Sequence, residues 1–184
     1  GEGMFAGTPS VFLRTTGCNL RCWFCDTPYT AWDPEGQQRP WRDVLQDILA
    51  IDCEHVVITG GEPLLQRDVT PLTMELTRSG RLITIETAGT VWRDVNAGLL
   101  SISPKLSNST PRETEDEPWA ARHNRLREQH SVIRRMLSKS RCQFKFVIDT
   151  PTDLEEVERY LVQLPEISRA QVWLMPQAIT RDAL

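Results

Sequence analysis

The sequence of 184 residues lacks the features that mark several large classes of protein. It has no apolar run near the roughly 18 residues that a membrane-spanning helix needs, and no secretory leader is recognisable. Acidic residues outnumber basic ones, 25 to 21, so there is no basic excess to attract nucleic acid. We therefore expect neither membrane insertion nor nucleic-acid binding.

Histidine and cysteine are scarce, with three and five residues respectively. An odd cysteine count without a leader argues against a disulfide framework and favours a reducing, cytoplasmic compartment. Three of the cysteines, Cys18, Cys22 and Cys25, fall within the stretch TTGCNLRCWFC. The other two, Cys53 and Cys142, have apolar neighbours and are predicted to be packing residues.

The spacing of the three clustered cysteines indicates a metal centre or an iron–sulfur cluster. A structural zinc site or an ordinary four-iron cluster takes four protein ligands, and no fourth cysteine or histidine lies nearby. The distant candidates do not form a second paired motif; they are Cys53, Cys142, His55, His123 and His130. We predict a site with one open coordination position, which is typical of catalytic metals. A structural zinc site is the alternative.

Strand and helix patterns alternate along the chain, which predicts an α/β fold with a parallel sheet. Apolar runs predict strands at 10–15, 55–59, 82–87, 98–103, 143–148 and 170–175. Helical spacing predicts helices at 41–51, 68–79, 125–138 and 151–164. We expect a single domain over 1–184 with about six parallel strands. The polar stretch 106–123 predicts a long exposed loop or insertion.

Ligands of parallel sheets collect where the strands end. The cysteine-rich stretch, GGEP (Gly60–Pro63), Glu86 and SPK (Ser103–Lys105) each lie at or directly after the end of a predicted strand. Gln143 alternates with a lysine on one face of its own strand. We therefore expect these residues to lie around one site.

These motifs resemble a known family. CNLRCWFC matches the C-x3-C-x2-C signature of the radical S-adenosylmethionine (SAM) superfamily, and TGGEP matches its second motif. With GEGMF, CDT, ETAGT and SPK, the chain resembles the 7-carboxy-7-deazaguanine synthases from Glu2 to about Gln177. The resemblance implies a partial, modified βα (TIM-like) barrel.

The resemblance also implies an activity and its cofactors. It implies a radical SAM lyase that contracts 6-carboxy-5,6,7,8-tetrahydropterin to 7-carboxy-7-deazaguanine with loss of ammonia, in deazapurine and queuosine biosynthesis. The implied cofactors are a 4Fe-4S cluster, S-adenosyl-L-methionine and Mg2+. Two alternatives stay open: a radical SAM activase that forms a glycyl radical on a partner protein, and a non-catalytic metal-binding domain.

Site residues are assigned by the same resemblance. Cys18, Cys22 and Cys25 would carry catalysis by ligating the cluster, and Thr27 would bind magnesium. The implied cofactor-binding residues are Phe24, Gly60, Gly61, Glu62, Glu86, Ser103, Lys105 and Gln143. The implied substrate-binding residues are Glu2, Gly3, Arg14 and Gly61. Core packing is the alternative for Phe24, and a frayed terminus for Glu2.

The implied partners are a small pterin substrate and an electron donor such as flavodoxin or ferredoxin. A homodimer is the family expectation. Family members usually carry a further strand before the position of Glu2 and a histidine-bearing tail after the residues MPQ, Met175–Gln177. The printed sequence has neither, and what closes the substrate site is left open.

Overall fold

The computed structural model describes residues 2–111, 117–178 and 180. Its strands are β1 (Val11–Thr15), β2 (His55–Gly60), β3 (Leu82–Thr87), β4 (Leu99–Ile102), β5 (Cys142–Ile148) and β6 (Val172–Pro176). Its α-helices are α1 (Pro28–Ala31), α2 (Trp41–Leu49), α3 (Val69–Arg78), α4 (Glu117–Arg127), α5 (His130–Lys139) and α6 (Asp153–Gln163).

The six strands form one sheet in chain order, and every neighbouring pair is parallel. β1 and β6 stand at the two edges, so the sheet is an open arc of a barrel. The predicted partial βα barrel with about six parallel strands is therefore confirmed. Parallel order brings the carboxyl ends of all strands to one edge, where the loops singled out in the sequence meet.

The two faces of the sheet differ in chemistry because side chains alternate along each strand. One face is apolar and packs beneath the helices. Its central side chains, Ile58, Ile85, Leu100 and Phe144, are fully buried. The opposite face carries polar side chains near the carboxyl ends of the strands. This second face is the inner surface of the arc.

Helices α2 and α3 each bury one apolar stripe against the sheet. In α2 the buried residues are Leu45 and Ile48, three positions apart as a helical face requires. Helix α3 ends at Arg78, and Gly80, two residues further on, adopts a left-handed φ of 78°. The amide of Arg81 then donates to the Leu76 carbonyl, closing the last turn. The predicted helix over 68–79 is therefore confirmed to within one residue at each end.

The structure corrects the prediction of one helix over 125–138. Two helices, α4 and α5, lie there instead, with a break at 128–129. Each has its own buried face: α5 buries Ile133 and Met136 in the sheet core, whereas α4 buries His123 elsewhere. A single straight helix could not serve both contacts.

The prediction of an exposed loop over 106–123 is also wrong for its described parts. Leu106, Ser109 and His123 are 2% exposed or less, and residues 117–123 are helical. Polar composition misled the prediction because the buried polar groups bond to one another. Residues 112–116 of that stretch lie outside the described residues.

Two smaller points concern the cysteines and the membrane. Cys142 is buried, as predicted, whereas Cys53 is half-buried. Within the part of the chain that the structure describes, no helix has the length and apolarity to cross a bilayer.

Candidate active site

Strand register assembles a row of polar side chains on the inner face of the sheet. Arg14 of β1 lies opposite Thr59 of β2, and Glu86 of β3 lies opposite Ser101 of β4. Ser101 in turn lies opposite Gln143 of β5. We call this row, with Lys145 two residues further along β5, the polar face. It unites Arg14, Glu86 and Gln143, three residues that the sequence pointed to separately.

Lys145 is the electrostatic centre of the polar face. Its ammonium donates to Glu2 Oε2 at 2.6 Å and to Glu86 Oε1 at 3.3 Å, while its side chain is only 6% exposed. Thr59 Oγ1 donates to the other Glu86 oxygen at 2.9 Å. A buried lysine requires such partners, and two carboxylates supply them. The hydrogen bond from Lys145 lowers the pKa of Glu2, so that carboxyl is ionised at neutral pH.

Lys145 was not assigned a site role in the sequence, although a signal was present. The strand CQFKFVI holds one cation among apolar residues, and a lysine in a buried strand is rare without a function or a partner. Its alternation with Gln143 placed it on the correct face, but its carboxylate partners come from distant segments.

The amino-terminal segment docks on the polar face through Gln143. The fully buried Gln143 amide accepts from the Met4 amide at 2.9 Å and donates to Ser101 Oγ at 2.8 Å. Gly3 lies against the same amide with φ of 63°, and a Cβ there would meet Gln143 Oε1 at 2.6 Å. Glycine is therefore required at this position. Glu2 and Gly3 therefore contact the polar face through Lys145 and Gln143, while the predicted contact of Gln143 with a cofactor stays a prediction.

The three clustered thiols lie in a loop that follows β1, which we call the cysteine loop (Cys18–Cys25). All three are free; Cys22 is buried, and Cys18 and Cys25 are half-buried. Burial raises the pKa of Cys22 to about 12 and also raises that of Cys18. Thiolates here therefore need a cationic group beside them.

That donor set fits an iron–sulfur cluster. Among residues 2–111 and 117–178, no three His, Cys, Asp or Glu side chains are placed around a single metal ion. A four-iron cluster takes each thiolate on a different iron, so three cysteines need not converge on one point. Three thiolates would hold three irons and leave the fourth without a protein ligand. Cys18, Cys22 and Cys25 fit that role.

Two glycines pack the end of β2 against the start of the cysteine loop. A Cβ on Gly60 would meet the Thr15 carbonyl oxygen at 2.1 Å, and one on Gly61 would meet that of Gly17 at 2.2 Å. The amide of Gly61 donates to Thr15, and that of Glu62 to Gly17. We call this contact of Thr15–Gly17 with Gly60–Glu62 the glycine junction. Its glycines are required by the neighbouring backbone, whatever ligand approaches from outside.

Glu62 is fully buried behind the glycine junction. Its carboxylate accepts from the Leu64 amide at 3.1 Å, the Ala88 amide at 2.9 Å and the Thr87 hydroxyl at 2.8 and 2.9 Å. Burial raises the pKa of Glu62, against the effect of these hydrogen bonds. The residue ties the loop after β3 to the loop after β2. Its predicted contact with a cofactor stays a prediction.

Ser103 and Lys105 come together beyond β4, as the SPK motif suggested. Lys105 Nζ donates to Ser103 Oγ at 2.7 Å, and the Ser103 amide donates to the Thr87 carbonyl. The positive charge of Lys105 opposes the raised pKa of both Cys22 and Glu62. It therefore supplies positive potential between the cysteine loop and the carboxylates.

Thr27 and Phe24 flank the last cysteine. Thr27 precedes α1 and donates to Asp26 at 3.3 Å, and its hydroxyl lies 4.0 Å from Cys25 Sγ. The half-buried Phe24 ring packs edge-on against Trp23, with centroids 5.4 Å apart. Both assignments stay predictions, magnesium for Thr27 and an adenine contact for Phe24.

One residue near the cysteine loop was named from the sequence only as a distant candidate for a fourth metal ligand. His123 of α4 is fully buried and bonds to the Arg21 amide, within the cysteine loop. Burial, followed by the charges of Arg127 and Lys105, lowers the pKa of His123 to about 4, so the ring is neutral. No spacing signal links His123 to the cysteines, because 98 residues or more separate them.

The fold and the three-cysteine loop define the class of protein. The family model described as the Radical SAM superfamily matches residues 12–104, which is half of the chain. The structure of QueE from Escherichia coli has a TM-score of 0.69 with 24% identity, covering 98% of this chain and 80% of that one. Streptococcus suis SuiB bound to S-adenosylmethionine has a TM-score of 0.64 with 16% identity, covering 94% and 41%. The chain has a radical SAM fold, and its cofactors are S-adenosylmethionine and a 4Fe-4S cluster.

Sequence relatives narrow this class. A 7-carboxy-7-deazaguanine synthase from Rhodopirellula baltica is 45% identical over all of this chain and 72% of its own length. Another from Halobacterium salinarum is 42% identical over all of this chain and 76% of its own length. The chain belongs to the 7-carboxy-7-deazaguanine synthase family of radical SAM lyases.

Proposed function

We propose that this chain converts 6-carboxy-5,6,7,8-tetrahydropterin to 7-carboxy-7-deazaguanine with loss of ammonia, a step toward deazapurines such as queuosine. One observation on this chain's own residues supports the proposal. The Glu2–Lys145–Glu86 group occupies the inner face at the same edge of the sheet as the cysteine loop. A substrate bound there would meet fixed charges beside the metal centre.

Cys18, Cys22 and Cys25 would hold three irons of the cluster. When bound and reduced, the cluster and S-adenosylmethionine supply a carbon-centred radical that abstracts hydrogen from the substrate. The chain's own task is to bind, orient and exclude water. The glycine junction provides backbone groups without obstructing side chains, and the half-buried Glu86, Ser103 and Lys105 offer polar contacts to a ribose or a carboxylate.

The substrate would be recognised by complementary charge. The Glu2 side chain is 58% exposed, and its ionised carboxylate can accept from the amino and ring N–H groups of a pterin. Arg14 is exposed on the same face, and its planar guanidinium suits the substrate carboxylate. Lys145 would hold Glu2 in place throughout. Together, Glu2 and Arg14 would select a substrate that has hydrogen-bond donors on one edge and a carboxylate elsewhere.

Magnesium binding at Thr27 belongs to the same proposal. Mg²⁺ prefers oxygen ligands, keeps several waters and often takes only one or two protein groups. The Thr27 hydroxyl and the exposed Asp26 carboxylate offer such oxygens beside Cys25. We also propose a cytoplasmic homodimer that receives electrons from a flavodoxin or a ferredoxin.

The decisive experiment is turnover by anaerobically reconstituted protein. Reduced enzyme with S-adenosylmethionine and the tetrahydropterin should form 7-carboxy-7-deazaguanine, identified by mass. Arg14→Met should raise KM at least ~10-fold, because a charge-assisted contact is lost, while cluster content stays unchanged. Cofactor cleavage without any deazaguanine would contradict the substrate assignment and favour a glycyl-radical activase.

The magnesium assignment needs its own test. Thr27→Ala should weaken the magnesium dependence of turnover and leave the iron content intact, whereas Thr27→Ser, which keeps the hydroxyl, should behave like the unmodified protein. A magnesium response identical in all three proteins would remove Thr27 from the site.

A further inference from the structure

His123 forms a continuous hydrogen-bonded chain under the cysteine loop. Its Nδ1 lies 3.1 Å from the Arg21 amide, and its Nε2 lies 2.9 Å from Ser109 Oγ. Ser109 Oγ in turn donates to the Leu106 carbonyl at 2.6 Å. His123 and Ser109 are both 0% exposed. Every polar atom of this buried chain therefore has a partner.

The partners determine which ring nitrogen carries the proton. A backbone amide can only donate, so Nδ1 must accept from Arg21. The proton then lies on Nε2, which donates to Ser109 Oγ. The Ser109 hydroxyl in turn donates its own proton to the Leu106 carbonyl. A single tautomer satisfies the whole chain. Hydrogen bonds with one consistent direction hold the groups they join in one arrangement.

The groups held in this way flank Cys22. Arg21 comes directly before Cys22, and its amide donates to His123. Trp23 comes directly after it, and its amide donates to the Ser109 carbonyl at 3.3 Å. The Trp23 indole donates to the Asn108 carbonyl at 2.6 Å. The turn at 106–109 and His123 thus support the backbone on both sides of Cys22.

The support matters most at this cysteine. Cys22 is the buried member of the three, at 9% exposure. Its thiol direction is set by its backbone, because a buried side chain has little freedom to adjust. Groups that orient a ligand commonly change metal affinity 10- to 100-fold when removed.

We infer that His123 is a positioning residue, which orients the cysteine loop so that Cys22 presents its thiolate to the cluster. The inference rests on the proposed role of Cys22 as a ligand. His123 touches neither cofactor nor substrate in this role; it acts through the Arg21 amide. The residue thereby extends the site to α4, an element that none of the cysteine, glycine or SPK motifs includes.

The test compares three substitutions of one residue. His123→Ala removes both bonds. His123→Asn keeps an acceptor near the position of Nδ1, and His123→Gln keeps a donor near that of Nε2. The matched control is His55→Ala, since His55 is also buried and bonded at both nitrogens, to Ser10 and Thr84, at the opposite end of β2.

Three readouts separate positioning from general stability. They are the rate of iron loss to a chelator, the midpoint potential of the cluster, and hydrogen exchange of the Arg21 and Trp23 amides in the apoprotein. We expect His123→Ala to lose iron at least ~10-fold faster, to shift the potential and to expose both amides. His123→Asn should restore all three, and His123→Gln should not. His55→Ala should lower thermal stability alone.

The outcomes that overturn the inference are distinct. It fails if His123→Ala and His55→Ala lose thermal stability while both keep unmodified iron retention, potential and amide protection. It also fails if His123→Gln restores these properties as well as His123→Asn does. If His123→Ala does not fold, the comparison of Asn with Gln decides. A wild-type protein that binds no cluster would overturn the proposed function instead, and amide exchange would still decide the positioning.

Discussion

The cysteine loop is supported on two sides by contacts of different kinds. At the glycine junction, backbone packs on backbone, with amide-to-carbonyl bonds from Gly61 to Thr15 and from Glu62 to Gly17. On the other side, the His123 side chain accepts from the Arg21 amide, and Trp23 donates to the 106–109 turn through its indole and its amide. At the glycine junction there is no room for a side chain larger than that of glycine. The side-chain support depends instead on which atoms donate and which accept hydrogen bonds.

This difference explains why the sequence revealed one support and hid the other. A close backbone approach can be made only with glycine, so GG after a buried strand is itself a signal. A buried histidine carries no such mark. Its partners, Arg21 and Ser109, lie 102 and 14 residues away in the chain, and only the fold brings them together.

Among the predicted changes, substitution of Cys22, which lies in the cysteine loop between the two supports, should have the largest effect on the cluster. Cys22→Ala removes one of three cluster ligands, and we expect it to abolish the cluster and all cleavage of S-adenosylmethionine. Iron analysis and the visible spectrum of the reconstituted protein measure the first effect. Cys53→Ala is the control, because the Cys53 thiol lies against the Pro9 and His55 carbonyls and its loss should leave the cluster unchanged. Full cluster content in Cys22→Ala would remove it from the ligand set.

The glycine junction should be the more sensitive support to added volume. Gly61→Ala places a Cβ 2.2 Å from the Gly17 carbonyl oxygen and 3.2 Å from Cys18 Cβ, and backbone must move. We expect a loss of about 3 kcal/mol in the free energy of unfolding, at the upper end for overpacking, with weakened cluster binding. Denaturant unfolding measures it.

Gly98→Ala is the matched control for that change. A Cβ at Gly98 would meet Leu82 Cδ1 at 2.7 Å, the end of a flexible side chain that can turn aside. Its cost should be below about 1 kcal/mol, since relaxation of one rotamer is cheap. Equal costs at both glycines would show that the junction is not specially constrained.

Glu62 links the glycine junction to the loop after β3, and its substitution should have the next largest effect. Glu62→Gln replaces an acceptor oxygen by an amide donor that must face one of the amides of Leu64 and Ala88. We expect a loss of about 1–3 kcal/mol, the cost of an unsatisfied buried group, although a buried charge is removed. Thermal unfolding measures this loss. Glu54→Gln is the control, because Glu54 is exposed and its substitution should change the free energy of unfolding by no more than about 0.5 kcal/mol. A stabilised Glu62→Gln would mean that charge burial outweighs the hydrogen bonds.

Sequence patterns predicted the sheet well because the strands carry apolar residues on the face that packs beneath the helices, and these recur along the sequence. All six strands lie within two residues of the predicted positions. The polar face was predicted in part: Glu86 and Gln143 were recognised, but the ion pairs of Lys145 require the amino-terminal segment to fold over β5. The prediction for 106–123 was wrong because buried polar residues there form hydrogen bonds with one another, and periodicity does not detect such pairing.

The side-chain support should also respond to pH through His123, whereas the two backbone hydrogen bonds of the glycine junction involve no titratable group. The folded pKa of His123 is about 4, lowered first by burial, and that of an unfolded histidine is about 6.5. Between these values the unfolded chain binds a proton that the folded chain does not. The free energy of unfolding therefore falls as pH drops from about 6.5 to about 4, by at most about 1.4 kcal/mol per pH unit.

His123→Asn isolates this contribution, since asparagine keeps a hydrogen-bond acceptor and does not titrate. Denaturant unfolding of the apoproteins across this pH range should show a shallower slope in the variant, and equal slopes above pH 7. The pKa of His55 is lowered by burial too, but His55 is present in both proteins and cancels in the difference. Parallel curves would mean that His123 is exposed to solvent protons in the folded state. The support through His123 would then be as independent of pH as the backbone hydrogen bonds of the glycine junction.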